Sequence, residues 1–98
     1  MPRVGGITPY LKVAALADHA NLQVAPHFVM EIHLHLAAAF PRESWVEHIE
    51  WLSPLFDERL TIEGGRMRVP DRPGLGLSLA GQARVWRLDD VEFRAAAR

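Results

Sequence analysis

At Asn21 a helical hydrophobic pattern gives way to a four-residue apolar run that is too short to be a helix. This change of period constrains the chain more than anything else in its sequence. From Pro9 to about Ala20, Leu11, Ala14, Ala15 and Leu16 share one helical face, while Lys12, Asp18 and His19 take wet positions. Thr8 is the expected N-cap, with Pro9 at the first helical position, where its missing N–H costs nothing. Asn21 is the expected stop. Leu22 to Ala25, bounded by Asn21 and Pro26, then fits a buried strand of a parallel sheet, and His27 closes it. A helix with many small side chains followed by a buried strand is α/β grammar.

Composition removes several classes of function. Eleven Lys and Arg residues stand against twelve Asp and Glu, a formal net charge of -1. No basic field exists to attract a phosphate backbone or an anionic membrane surface, so neither nucleic acid nor membrane is an expected partner. The chain has no cysteine, which excludes disulfides, thiolate nucleophiles and thiolate metal sites. Its N-terminal residues lack the apolar core of a signal peptide, and no run approaches membrane-spanning length. A cytoplasmic protein is expected. At 98 residues the chain is one domain's worth at most.

Beyond His27, Glu31-Ile32-His33-Leu34-His35-Leu36 alternates strictly, which favours a strand, whereas Ala37-Ala38-Ala39 before Pro41 favours a helix. The pattern leaves both open. Trp45 to Trp51 is a second apolar and aromatic element, and the order of elements makes its beginning a strand that carries Glu47. Gly64-Gly65 separates Leu60–Glu63 from Arg66–Val69, as in a two-residue hairpin turn. That turn pairs Ile62 with Met67 and Leu60 with Val69 on one dry face, and Glu63 with Arg66 and Thr61 with Arg68 on the other. A stiff segment, Pro70-Asp71-Arg72-Pro73-Gly74-Leu75-Gly76, leads to an expected closing helix over Ala80–Leu88 and a frayed Ala-Arg tail.

These residues, in this order, resemble the C-terminal portion of the enolase superfamily, in its mandelate racemase and muconate lactonizing branch. The resemblance rests on Arg3-Val4-Gly5-Gly6-Ile7-Thr8, on Ala25-Pro26-His27 with Glu31 following, on Trp45-Val46-Glu47, and on Glu63-Gly64-Gly65 running into the Pro-Gly segment. It implies an α/β fold: the last two strands and helices of a modified TIM barrel, (β/α)7β, followed by a C-terminal β-hairpin arm of the capping domain. Gln23 to His27 would be the seventh barrel strand, Met30 to Phe40 a helix, and Trp45 to about Glu47 the eighth strand. Residues 1–52 would close the barrel and residues 53–98 form the arm.

The resemblance also implies a chemistry. Members bind a substrate carboxylate to magnesium, remove the α-proton with a base, and stabilise the enediolate with the metal and hydrogen-bond donors. His27 matches the base on the seventh strand, a role suited to imidazole because it titrates near neutrality. The aspartate that partners this histidine in the family would precede Met1. Glu47 matches the eighth-strand acid that hydrogen-bonds the substrate carboxylate, and to donate it must carry a proton, which needs surroundings that disfavour its charge. Taken alone, His27 reads as a strand-end core or capping histidine and Glu47 as a solvated glutamate beside His48 and Glu50.

Other candidates receive blander readings. His33 and His35 could share a metal only on a strand; on a helix they diverge, and packing or surface roles are expected. Glu31 is expected at the start of a helix, where its charge suits the dipole. Trp45, Trp51 and Trp86 are expected in a core or interface. The expected function is the C-terminal fragment of a magnesium-dependent enzyme acting on a small carboxylate substrate. Acid-sugar dehydration is the first choice of reaction and racemisation of a 2-hydroxy acid the second. The family's magnesium ligands lie on strands outside this chain, so no cofactor and no activity are expected of the 98 residues alone. A homo-oligomer is expected for the complete protein. The alternative is a noncatalytic remnant that acts through oligomerisation or protein binding.

Overall fold

The computed structural model describes residues 2–89 and 91. A 3-10 turn, Pro2–Val4, leads into α1, Ile7–His19. The helix begins two residues earlier than Thr8 capping would allow: Gly6 is the N-cap, and the Tyr10 N–H reaches the Gly6 carbonyl at 3.2 Å. Thr8 and Pro9 therefore lie within the first turn, where Pro9 still sacrifices no helical hydrogen bond. The stop falls as expected. Asn21 takes a left-handed φ of 60°, and its N–H and that of Leu22 return to the Asp18 and Ala17 carbonyls at 3.0 and 2.8 Å. This is a Schellman motif, which satisfies carbonyls that the helix end leaves open.

The ambiguous alternating segment is helical: α2 spans Met30–Ala38. Met30, His33, Leu34 and Ala37 are buried, and their three- and four-residue spacing forms the stripe that the alternation concealed. Tyr10 and Ala14 of α1 are buried too, and the Tyr10 and His33 rings lie 5.4 Å apart. Arg42, just past α2, ties the two helix ends together. Its Nε donates to Asp18 Oδ1 at 3.0 Å, Nη2 to the Asp18 carbonyl at 3.1 Å, and Nη1 to Asn21 Oδ1. A cation at a helix C-terminus also suits the helix dipole.

The two expected barrel strands are not formed as ladder-paired strands. Residues 22–27 and 43–49 are neither helix nor paired strand. Leu22 is 59% exposed, so the run expected to be buried is largely open. Much of the apolar face foreseen for α1 is open as well, with Leu11, Ala15 and Leu16 exposed and only Ala14 of the four buried. A strand exists through ladder hydrogen bonds to a neighbouring strand, and among the described residues neither segment makes them. The radius of gyration, 15.7 Å, exceeds the roughly 13 Å of a compact domain of about this length.

The hairpin keeps its expected register. β1, Ile62–Glu63, pairs antiparallel with β2, Arg66–Met67, setting Ile62 opposite Met67 and Glu63 opposite Arg66. The Arg68 N–H extends the pairing to the Thr61 carbonyl at 2.8 Å. Its expected dry face is not covered, since Ile62 and Val69 are exposed.

Before the hairpin, a 3-10 helix that the sequence did not announce spans Glu50–Leu55. It precedes a bridge between Phe56 and Leu79, flanked by Asp57 N–H to Ser78 and Ala80 N–H to Leu55 hydrogen bonds. The closing helix is shorter than expected: α3 covers only Gly81–Val85. The frayed tail falls outside the described residues. No helix among the described residues is long and apolar enough to cross a membrane.

Candidate active site

His27 ends the segment before α2 and Glu47 lies in the segment after it, and the fold brings the two side chains together. His27 Nδ1 lies 2.8 Å from Glu47 Oε2. The same oxygen accepts the Phe28 backbone N–H at 2.7 Å. These are lengths of charge-assisted hydrogen bonds. They set the histidine's tautomer: with Nδ1–H directed at the carboxylate, Nε2 keeps its lone pair for a proton. They also divide Glu47 into two unlike oxygens, since Oε2 is engaged as an acceptor and Oε1 is left for another partner.

The backbone between His27 and α2 is unusual. Phe28 and Val29 both adopt left-handed φ, 60° and 51°. Such values are uncommon outside glycine and especially so for β-branched valine, with a cost of about 1–3 kcal/mol for each residue. The turn is held from both ends of the Phe28 residue. Its N–H is on Glu47, and its carbonyl accepts from His33 Nδ1. The Phe28 ring stands edge-on to Trp51, with centroids 5.7 Å apart.

His33 is fully buried. Desolvation holds its pKa below the ordinary 6.5, against the smaller raising effect of the Phe28 carbonyl. A carbonyl can only accept, so Nδ1 carries the proton; buried Nε2 has no hydrogen-bond partner among the described residues. His35 serves a different partner, with Nε2 3.1 Å from the Leu75 carbonyl of the Pro-Gly segment. The two histidines do not converge, which removes the metal reading. Sequence reasoning assigned His33 a packing or surface role. No periodic signal marks its link to Phe28, because the link depends on a left-handed turn.

Glu31 occupies the first turn of α2, as the dipole argument expects, yet it is buried, with Oε2 unpartnered among the described residues. His48 and Glu50 lie 3.6 Å from each other, leaving Glu47 to His27. The tryptophans are not core residues: Trp45 and Trp51 are 72% and 76% exposed, and Trp86 is also exposed. A lone helix-and-loop layer has no second layer to bury them.

Magnesium asks for several converging oxygen ligands. Among the described residues no three His, Cys, Asp or Glu side chains are grouped to hold a metal ion. The residues present do not fit magnesium. The His27 side chain is 70% exposed, so the pair stands on an open surface.

Residues 1–83 match the model of the enolase C-terminal domain-like family. The chain belongs to that family. Within it, the chain is a C-terminal segment of the mandelate racemase and muconate lactonizing branch. It is 55% identical over 92 residues to the L-talarate/galactarate dehydratase of Salmonella typhimurium, a match covering 94% of this chain and 23% of that protein. It is 36% identical over 88 residues to the D-xylonate dehydratase of Haloferax volcanii, covering 81% and 21%. Among solved structures it resembles the L-talarate dehydratase of a Polaromonas species complexed with magnesium and L-glucarate. There the TM-score is 0.83 at 69% identity, over 87% of this chain and 24% of that one. This member of the enolase family thus spans less than a quarter of the length of these relatives. Its open backbone nevertheless resembles that of the matching part of the Polaromonas structure.

Proposed function

We propose that this chain is the C-terminal segment of a magnesium-dependent acid-sugar dehydratase, with His27 as the base that removes the proton α to a carboxylate. The observation that carries the proposal is the meeting of His27 Nδ1 with Glu47 Oε2 at 2.8 Å. An imidazole anchored through Nδ1 presents Nε2 as a directed base, and the orientation is set before substrate arrives. Glu47 Oε1 is the oxygen placed to bond the substrate carboxylate, donating to the enediolate when it carries a proton. The similarity to talarate, galactarate and xylonate dehydratases supports a polyhydroxy acid as substrate and favours dehydration over racemisation.

In the whole protein the metal is held by residues outside those described. Residues 1–52 complete the barrel, with 22–27 and 43–49 as its last two strands, and residues 53–98 return as the hairpin arm of the capping domain. Neighbouring strands would cover Leu16 and Leu22 and exclude water from His27. The complete enzyme is a cytoplasmic homo-oligomer that binds neither nucleic acid nor membrane.

The test is solvent-deuterium exchange at the substrate α-carbon, followed by NMR in the full-length protein carrying this segment, with a panel of acid sugars. His27→Asn should abolish exchange on the face His27 serves. Exchange at the unsubstituted rate would sink the assignment of the base.

The exposed Leu16, Trp45 and Trp51 support a second reading, in which the chain is noncatalytic and persists by association. Sedimentation of the 98-residue chain separates the readings in part: a discrete, stable oligomer supports association, and a folded monomer opposes it.

A further inference from the structure

We infer that His33 is a positioning residue for the His27–Glu47 site, acting through the backbone of Phe28; the inference rests on the function proposed above. A fully buried imidazole donates Nδ1–H to the Phe28 carbonyl, while the N–H of the same residue donates to the carboxylate oxygen that holds His27. The chain of contacts runs from His33 through Phe28 to Glu47 and His27. It crosses Phe28, the first of two consecutive left-handed residues, neither of them a glycine that would make the conformation easy.

Burying an imidazole with one nitrogen unpartnered is unfavourable, and a core position five residues on from Phe28 would be better filled by leucine if packing were its only task. The hydrogen bond to Phe28 supplies the reason for a histidine. The Phe28 carbonyl lies in the peptide unit after its Cα and the Phe28 N–H in the unit before it, so His33, by fixing the carbonyl, holds the φ and ψ of Phe28 that aim the N–H at Glu47. Burial keeps His33 neutral, so it donates through one nitrogen only and adds no charge beside the base. The Tyr10 ring packs against it, with ring centroids 5.4 Å apart.

The experiment compares three substitutions in the full-length protein carrying this segment. Asparagine can place an amide N–H near the position of Nδ1, glutamine places it near Nε2, and leucine has no donor. His33→Leu should lower kcat roughly a hundredfold, as expected for a misplaced reacting group, with KM moving far less. His33→Asn should retain most of kcat, and His33→Gln should behave like leucine. Thermal denaturation verifies that each variant is folded. A folded His33→Leu enzyme with unchanged kcat overturns the inference, as do Asn and Gln variants of equal activity. Should His33→Leu fail to fold, the Asn and Gln comparison alone decides. His27→Asn is assayed in parallel: its retention of exchange would overturn the assignment of the base, whatever the His33 variants do.

Discussion

Glu47 Oε2 lies 2.8 Å from His27 Nδ1 although the two residues stand twenty positions apart, on either side of α2. The contact turns two separate side chains into one acid–base unit. It requires the turn at Phe28–Val29, because the Phe28 N–H holds the same oxygen.

Removing the charge of Glu47 should therefore impair the base as well as the substrate contact. In the full-length protein, Glu47→Gln, which keeps an acceptor and an amide donor but loses the charge, is expected to lower kcat roughly tenfold, the difference of about 1.4 kcal/mol between a charge-assisted and a neutral hydrogen bond. Glu47→Asp, one methylene shorter, should be impaired too, because it cannot reach both Nδ1 and the Phe28 N–H. Steady-state kinetics with an acid-sugar substrate checks both, and a Glu47→Gln enzyme at full kcat would exclude the unit.

Glu58 should resist protonation. The Arg72 guanidinium, with the Ser78 N–H and hydroxyl, holds its carboxyl at about 2 from an ordinary 4.5. Ser78 N–H and Oγ reach it at 2.6 and 3.0 Å, and Arg72 Nη2 pairs with Oε1. A lowered folded value means that the stabilisation is complete above the unfolded value and is lost as pH falls through the folded one. The clasp between Glu58 and the Pro-Gly segment should stay intact above pH 4.5 and open as pH approaches 2. A carboxyl 13C titration of Glu58 should show its midpoint there. Arg72→Met should move that midpoint upward.

His33 should make α2 sensitive to mild acid. Its lowered pKa means that the unfolded chain takes up the proton more readily than the folded one. The stabilisation from burying the neutral ring is thus complete above pH 6.5 and declines as pH falls below it. Hydrogen exchange of α2 amides should quicken, after correction for intrinsic rates, between pH 7.5 and pH 5. His33→Asn should remove that part of the dependence, and an equal dependence in the variant would contradict it.

Gly76 is the glycine least open to substitution. It is buried with φ 69°, and a Cβ there would overlap the Pro70 ring. Its carbonyl also accepts from Arg72, at 2.6 Å from Nη2 and 3.2 Å from Nε. Gly76→Ala combines a left-handed backbone with a clash and should cost about 2 kcal/mol or more. Denaturant unfolding measures this. Gly64→Ala, with open space around its Cβ, should cost only the left-handed strain of about 1–2 kcal/mol.

Features set by neighbouring residues were legible in the sequence. Asn21 was readable as the stop of α1, and Gly64-Gly65 announced both the hairpin and its register, because caps and turns depend on a few adjacent residues. The resemblance picked out His27 and Glu47, and the fold brings those two residues into contact. Other features were not legible. Thr8 looked like the better cap, yet α1 starts from Gly6. Alternation over Glu31–Leu36 left strand and helix open on pattern alone, and only the resemblance made it the helix that α2 is, with a buried stripe that shows when Met30 and Ala37 are included. His33 carried no local mark of its bond to Phe28.

By itself the sequence determined the local elements and nominated the residues for the chemistry, because helix stops, hairpin turns and a base of suitable type are written in short runs of side chains. Tertiary structure alone decided that residues 22–27 and 43–49 stay unpaired among the described residues, and that Phe28 and Val29 turn left-handed between His33 and Glu47. The physical reason is range. A ladder needs partner strands, and a strained turn needs contacts on both sides, so neither can be read from the residues that adopt it.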